Sequence, residues 1–451
     1  MRWQNNLITP IRIAAMSQSL HQSLFEQLNA IVLIDSHSHI DPNSPTSASL
    51  ADLLGYHYYT ELAHSSGMPK QLIEEPGISP REKVGRLFGY LGNINNTVQW
   101  SWFVELSQEL FGFQGDEINK SNWESVYDLA ESKMREANWE DQVLTASKVE
   151  KVFLTNDFDD PLEGFDSNRY VPCLRTDDLV FHLAHPKVRE RLQSASGQTV
   201  GSLSDLKQSL DVLFLRFKAR GARACAISLP PWFSPKAYTD QSNAAQVALD
   251  DIVQCGSDAS EPNKKTMAEW VFWKIAELAE AYKLPFDLMI GVNRRVYSNG
   301  VFQGQDLYDS RVSMIQYAEL FNAFPNLPFP ISVLASVTNQ ELVDYAWIFP
   351  NVLTHGHWWY SNTPNYIRHD LRGRIEAIPR NKQLGYYSDA YKLEFILPKF
   401  RMYKRILASI LAEDFCQGRG WSEDKAIALG KQILRGNVEQ VFGCDRVDCS
   451  N

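Results

Sequence analysis

Short apolar runs recur along the chain. Each ends in polar residues or Gly/Pro punctuation, and most are followed by a stretch with helical periodicity. The runs fall at 31–36, 150–155, 169–174, 222–228, 285–291, 330–335, 351–355 and 384–388. A short apolar run can be a buried strand or a piece of buried helix, and periodicity alone does not separate the two. Alternation with helical stretches argues for parallel βα units. Eight such units predict an α/β fold, a (β/α)₈ barrel of the TIM type, in preference to an open sheet.

The spacing is uneven. More than a hundred residues separate the first run from the second, with a helical aromatic pattern at Trp100, Trp102, Phe103, Leu106, Leu110 and Phe111. Residues 41–149 read as a helical insertion in the first βα loop of a single domain spanning 1–451. That loop lies on the catalytic face of a barrel. The stretch 178–221 is charged and helical, and 233–283 holds a Ser/Asp/Asn-rich loop at 254–265 followed by an amphipathic helix, Met267–Tyr282. Beyond 390 the chain reads as helix to its end.

The first run closes with Asp35-Ser36-His37-Ser38-His39. Side chains two apart on an extended chain point to the same side, so both imidazoles can reach one ion. Alone, His-x-His is also met as two unrelated loop residues. In a barrel, catalytic groups come from the C-terminal ends of several strands. Those ends carry His37 and His39, then Asp157, Asp159 and Asp160, Arg175, Ser228, Asn293 and Arg294, His355 and His357, and Asp389. The eighth strand of a closed barrel neighbours the first, so Asp389 can join His37 and His39 around one divalent ion. Two His and a carboxylate suit zinc first, and also manganese, iron or nickel. The competing reading of Asp389 is an N-cap for a helix from Tyr391. Asp159-Asp160-Pro161 is ordinary turn chemistry. His355 and the tandem Trp358-Trp359 suggest a substrate-binding wall, although paired Trp also pack in cores.

A formal charge of −10 and the absence of any Lys/Arg-rich block argue against a nucleic-acid surface. Hydrophobic content of 44% with 12 Trp argues for a packed globule. No apolar run approaches a membrane span, and residues 1–29 show no secretory apolar region. The six Cys lack CxxC spacing and read as reduced thiols of a cytoplasmic protein, with Cys444 and Cys449 near enough in sequence to pair.

Together these residues resemble the uronate isomerase (glucuronate isomerase) family of the amidohydrolase superfamily, from about residue 30 to 443. The Asp-x-His-x-His strand end is similar to Asp35–His39. The family's His-Tyr pair resembles His57-Tyr58, and its Trp/Glu-Leu/Phe-Gly segment resembles WSWFVELSQELFG at 100–112. Its Thr-Asp-Asp-Pro turn is similar to Phe158-Asp159-Asp160-Pro161, and its Pro-x-x-Arg strand to Pro172–Arg175. Gly356-His357-Trp358-Trp359, GYYSDAYKLEF and Lys404-Arg405-Ile406-Leu407 complete the ordered set. Departures are Met289 for a fifth-strand His, Tyr391 and His64 for two Arg, and Cys225-Ala226-Ile227 for Ser-Asp-His.

The resemblance implies a metal-dependent isomerase. It would move a proton from C2 to C1 of a hexuronate and so interconvert an aldose and its 2-keto isomer. It implies one divalent ion on His37, His39 and Asp389, with Asp389 or a metal-bound water as base. It implies His57 and Tyr58 as proton carriers or stabilisers of an enediolate, and Arg175 and Arg294 as holders of the carboxylate. Family members tend to be homo-oligomers, though no residue pattern here marks an interface. The lost arginines leave room for a hydrolase or lyase acting on another small substrate. A non-catalytic binding barrel requires His37, His39 and Asp389 to coincide by chance.

Overall fold

The computed structural model describes residues 10–444. Each of the eight runs contributes a strand. They are β1 (Leu33–Asp35), β2 (Val149–Phe153), β3 (Tyr170–Val171 and Cys173–Arg175), β4 (Ala224–Leu229), β5 (Phe286–Ile290), β6 (Phe329–Val333), β7 (Val352–His355) and β8 (Gln383–Leu384). All pair in parallel and in sequence order. Pro172 splits β3 because it has no N–H to give the ladder. Its first half pairs with β2 (Val152 beside Tyr170) and its second with β4 (Cys173 beside Ala224). This is an α/β fold of the TIM type.

The edge strands β1 and β8 share no ladder among the described residues, and they meet beyond their ends. Asp389 N–H donates to His37 O (3.1 Å), and His39 N–H donates to Ala390 O (2.8 Å). The Asp35 carboxylate accepts from the backbone N–H (2.8 Å) and the hydroxyl of Ser388. Strand eight is shorter than the run 384–388. Gly385 N–H turns away to Ile433 O (3.0 Å), which frees Tyr386–Asp389 to run toward the seam.

Strand alternation sorts the side chains into two layers. Leu174, Cys225, Ile227, Leu288, Ile331 and Val352 face outward and pack under the helices. Ile34, Phe153, Val171, Cys173, Ala224, Ala226 and Leu384 face inward. Val438 and Phe442, on the last described helix, Asn437–Phe442, fill this inner layer from below. The bottom is therefore apolar and plugged, and the polar chemistry is confined to the other end.

Seven helices lie between β1 and β2, from Leu50–Leu54 to Trp139–Ser147. Their starts follow local chemistry: Ser49, Ser79 and Thr97 each accept a bond from the first turn. Two boundaries differ from the sequence reading. The segment 254–265 is mostly helical, because Ser260 caps a helix that begins at Glu261. That helix, Glu261–Tyr282, is not amphipathic: Trp270 through Ile275 are all buried, covered by the sheet and by neighbouring helices. Cys449, the partner considered for Cys444, lies outside the described residues.

One buried carboxyl ties the insertion to the chain after β8. Glu394 accepts from Ser47 N–H (2.9 Å) and from Trp139 Nε1–H (3.0 Å). Burial raises its pKa above the ordinary 4.5, with the bonds from Trp139 and Ser47 opposing. The native state thus holds this proton more tightly than the unfolded chain. The group's contribution to stability is complete below about pH 4.5 and is lost as pH rises through the shifted value. Glu394→Gln keeps an acceptor for both donors, so it should match or exceed wild-type stability at pH 7.5 and flatten this pH dependence. Glu394→Leu strands two buried N–H groups and should cost about 2 kcal/mol or more. Urea midpoints at pH 5 and 7.5 read both.

Candidate metal centre and active-site cavity

His37 and His39 follow the end of β1, and Asp389 arrives across the seam. The ligand atoms of the three side chains lie within 4.8 Å of one another. Asp389 Oδ1 is 3.4 Å from His39 Nε2 and 3.9 Å from His37 Nε2. Both rings are held from behind by Nδ1. His37 Nδ1 meets Asp287 Oδ2 at 3.2 Å, and His39 Nδ1 meets Thr155 Oγ1 at 2.8 Å. Thr155 spends its own proton on Ser38 O (3.0 Å), so it accepts from His39. In its neutral form each histidine therefore presents an unprotonated Nε2 to Asp389.

His37 Nε2 and Asp389 Oδ1 are buried and have no hydrogen-bond partner. Two acceptors facing each other out of water are costly unless a proton or a metal cation sits between them. That pairing of orphaned atoms, with a third donor beside them, fits a divalent ion. Asp389 adopts φ +51°, a left-handed conformation seldom used outside Gly and held here by the two backbone bonds of the seam. It does not cap a helix: the next turn starts at Leu393 and the helix at Ile396.

The electrostatics separate the three candidate ligands. Burial raises the Asp389 carboxyl, but His39 and His37 outweigh it and leave the pKa below the ordinary range. Burial lowers His39. At His37 burial also pushes down, but the Asp287 carboxylate overcomes it and the net direction is up.

A cavity of about 210 Å³ opens over the centre. His57, Arg175, Arg294, Trp358, Trp359 and Met289 help line it. Hollows of about 620 and 630 Å³ elsewhere lie between surface helices and hold none of the three ligands. His57 Nδ1 meets Glu61 Oε1 at 2.6 Å, which leaves its other nitrogen for the cavity. Tyr58 donates to Asp389 Oδ2 at 3.4 Å, and burial pushes its phenol pKa well up, so it keeps its proton. Arg175 pairs with Asp177 (3.2 Å) and Arg294 with Asp306 (2.6 Å). Gly356, at φ +52°, lets the Tyr387 ring pass where a Cβ would come within 2.3 Å of it.

His355, expected on the substrate wall, does not line the cavity. It is fully buried behind the centre, with Nδ1 3.1 Å from Asp287 Oδ1 and Nε2 2.7 Å from Ser36 Oγ. Its position at the inward-facing end of β7 turns the ring toward the sheet axis. The sequence reading also passed over Asp287, Glu61, Asp306 and Lys399. A lone Asp inside the run Phe286–Ile290 and a Glu four residues after His57 on one helix were the available signals. Lys399 Nζ donates to Ser388 O (2.7 Å) and lies 5.1 Å from the ring centres of Tyr58 and Trp102. Burial lowers its pKa to about 8.

The family model for glucuronate isomerase matches residues 14–442. A uronate isomerase from Thermotoga petrophila is 21% identical over 417 residues, covering 86% of this chain and 90% of that protein. The crystal structure of uronate isomerase from Thermotoga maritima superposes with a TM-score of 0.86 at 18% identity, over 94% of this chain and 97% of that one. Glucuronate isomerase from Caulobacter crescentus also gives 0.86 at 18% identity, over 99% and 98%.

Metal content tests the centre directly. The protein as purified, or after supplementation, should hold about one divalent ion per chain. The His37→Ala/His39→Ala double variant should hold almost none by elemental analysis. Equal content in both proteins would remove the centre.

Proposed function

The chain belongs to the glucuronate isomerase family, and from that premise we propose that it interconverts an aldose hexuronate and its 2-keto isomer with one divalent ion, zinc first among candidates. The observation that carries this reading is the facing pair of orphaned acceptors, His37 Nε2 and Asp389 Oδ1, under a cavity that also presents two arginines. His37, His39 and Asp389 would hold the ion. When bound, it would polarise the sugar oxygens as a Lewis acid and acidify a bound water.

The remaining roles fall to the chain's own groups. Asp389 takes the proton from C2 and returns it at C1; its lowered pKa keeps it ionised at neutral pH. His57, fixed by Glu61, carries the hydroxyl proton from O2 to O1. Tyr58 keeps its proton and steadies Asp389 through the 3.4 Å bond. Arg175 and Arg294 bind the carboxylate, and Trp358 and Trp359 offer apolar faces to the sugar carbons. Cytoplasmic location accords with the buried thiols Cys173 and Cys225. No described helix is long and apolar enough to cross a membrane. We read 41–149 as an insertion within one domain.

A second reading, a metal-dependent hydrolase or lyase, draws on the pairing of both arginines. Arg175 and Arg294 already face Asp177 and Asp306, so a carboxylate substrate must compete for them.

Turnover of glucuronate and galacturonate by the metal-loaded enzyme distinguishes the two readings. Isomerisation of at least one hexuronate is expected; turnover of only neutral compounds favours the second. Arg175→Glu should raise KM for a hexuronate steeply, and unchanged kinetics would take Arg175 out of the substrate site. Asp389→Asn keeps one coordinating oxygen but loses the basicity, so kcat should fall by about 10²–10⁴. Its metal affinity should fall less than in the double His variant. A near-normal kcat would exclude Asp389 as the base.

A further inference from the structure

We infer that Asp287 and His355 form a positioning network that holds the ion-facing nitrogen of His37 in its binding orientation. The inference rests on the metal reading above. Asp287 is the second residue of β5, between Phe286 and Leu288, which face outward beneath the helices. Alternation turns Asp287 inward, on the same side as Met289 of the cavity wall. It is only 3% exposed, so its carboxylate needs partners inside the protein.

It has two. Oδ2 is 3.2 Å from His37 Nδ1, and Oδ1 is 3.1 Å from His355 Nδ1. A carboxylate only accepts, so each ring carries its proton on Nδ1. His355 Nε2 is left to accept from the Ser36 hydroxyl at 2.7 Å. Ser36 directly precedes His37. The path Ser36, His355, Asp287, His37 thus closes on itself through one peptide unit and joins the ends of β1 and β7 to the first half of β5.

The path has one open end. Every nitrogen of its two rings is bonded except His37 Nε2, which has no partner and lies among the donors of His39 and Asp389. The Tyr387 ring, 5.0 Å from His37 and 4.8 Å from His355, packs against both imidazoles. The Phe442 ring lies 6.0 Å from His355. The unmatched nitrogen stands beside an unmatched Asp389 oxygen, next to the cavity that His39 and Asp389 line, where a cation would match both. A carboxylate behind a ligating histidine fixes its tautomer and raises its basicity, and its loss typically weakens metal binding about 10- to 100-fold.

The test uses the full-length chain stripped of metal. Long-range ¹H–¹⁵N spectra of the metal-free wild type should show His37 and His355 protonated on Nδ1. Co²⁺ titrations followed by visible absorption should show Asp287→Asn binding about 10- to 100-fold more weakly than wild type, with a changed ligand-field spectrum. A purely structural role predicts a lower thermal midpoint with unchanged Co²⁺ affinity and spectrum, and that result overturns the inference. If Asp287→Asn does not fold, the wild-type spectra still decide: a His37 ring with Nδ1 unprotonated overturns it. Wild type that binds neither Co²⁺ nor Zn²⁺ sinks the metal reading itself, a failure distinct from equal binding by wild type and variant.

Discussion

Three carboxyl groups, Asp35, Asp287 and Asp389, sit inside the functional end of the sheet, almost wholly out of water. Burying an ionised carboxylate costs several kcal/mol unless partners offset it. Each is compensated differently. Asp287 has two imidazoles, which overcome the effect of burial and hold its pKa well below the usual range. Asp389 has His39 and His37 beside it, and its net direction is also downward. Asp35 has mainly Ser388, and burial wins: its pKa is pushed up to about 6. Of the three, Asp389 alone retains an unmatched oxygen next to an unmatched imidazole nitrogen. The arrangement leaves local room for positive charge at one point, and the cavity opens there.

The fold supplies the rigidity this requires. Below the polar layer the inner face is filled by apolar side chains and by Phe442 from the last described helix. Above it, the seam between β1 and β8 is made of hydrogen bonds and not of a ladder, which allows Asp389 its left-handed turn. Lys399 donates to Ser388 O under the same turn, with aromatic rings around it. The seam is where the chain departs from regular pairing, and it is also where the candidate ligands meet.

Much of the fold was legible because its signal is periodic. Eight apolar runs, separated by helical stretches, are repeated evidence for one rule, and one misread boundary does not disturb the rest. The helix Glu261–Tyr282 shows the limit: burial on all sides comes from neighbours the chain meets only in three dimensions. The candidate ligands were legible for a topological reason, since two His at one strand end and an Asp at the last strand are adjacent only if the sheet closes. Asp287 was hidden by its own surroundings, a single polar residue in a run read as apolar. The partners of Arg175 and Arg294 were harder to read: Asp177 stands two residues after Arg175, but Asp306 lies twelve beyond Arg294. Their pairing, which only the folded chain displays, decides how free those arginines are.

The seam also bears on how the protein comes into being. Asp35 and Ser388, which clasp across it, are 353 residues apart. A ribosome adding about 5–20 residues per second therefore releases the first half of this contact many seconds before the second. During that interval His37 and His39 are present without Asp389, and β1 has no eighth strand to meet. Until then the nascent chain holds at most two of the three candidate ligands. The three candidate ligands come together only when the segment after β8 docks against the end of β1, so they cannot assemble before nearly the whole sheet has been synthesised.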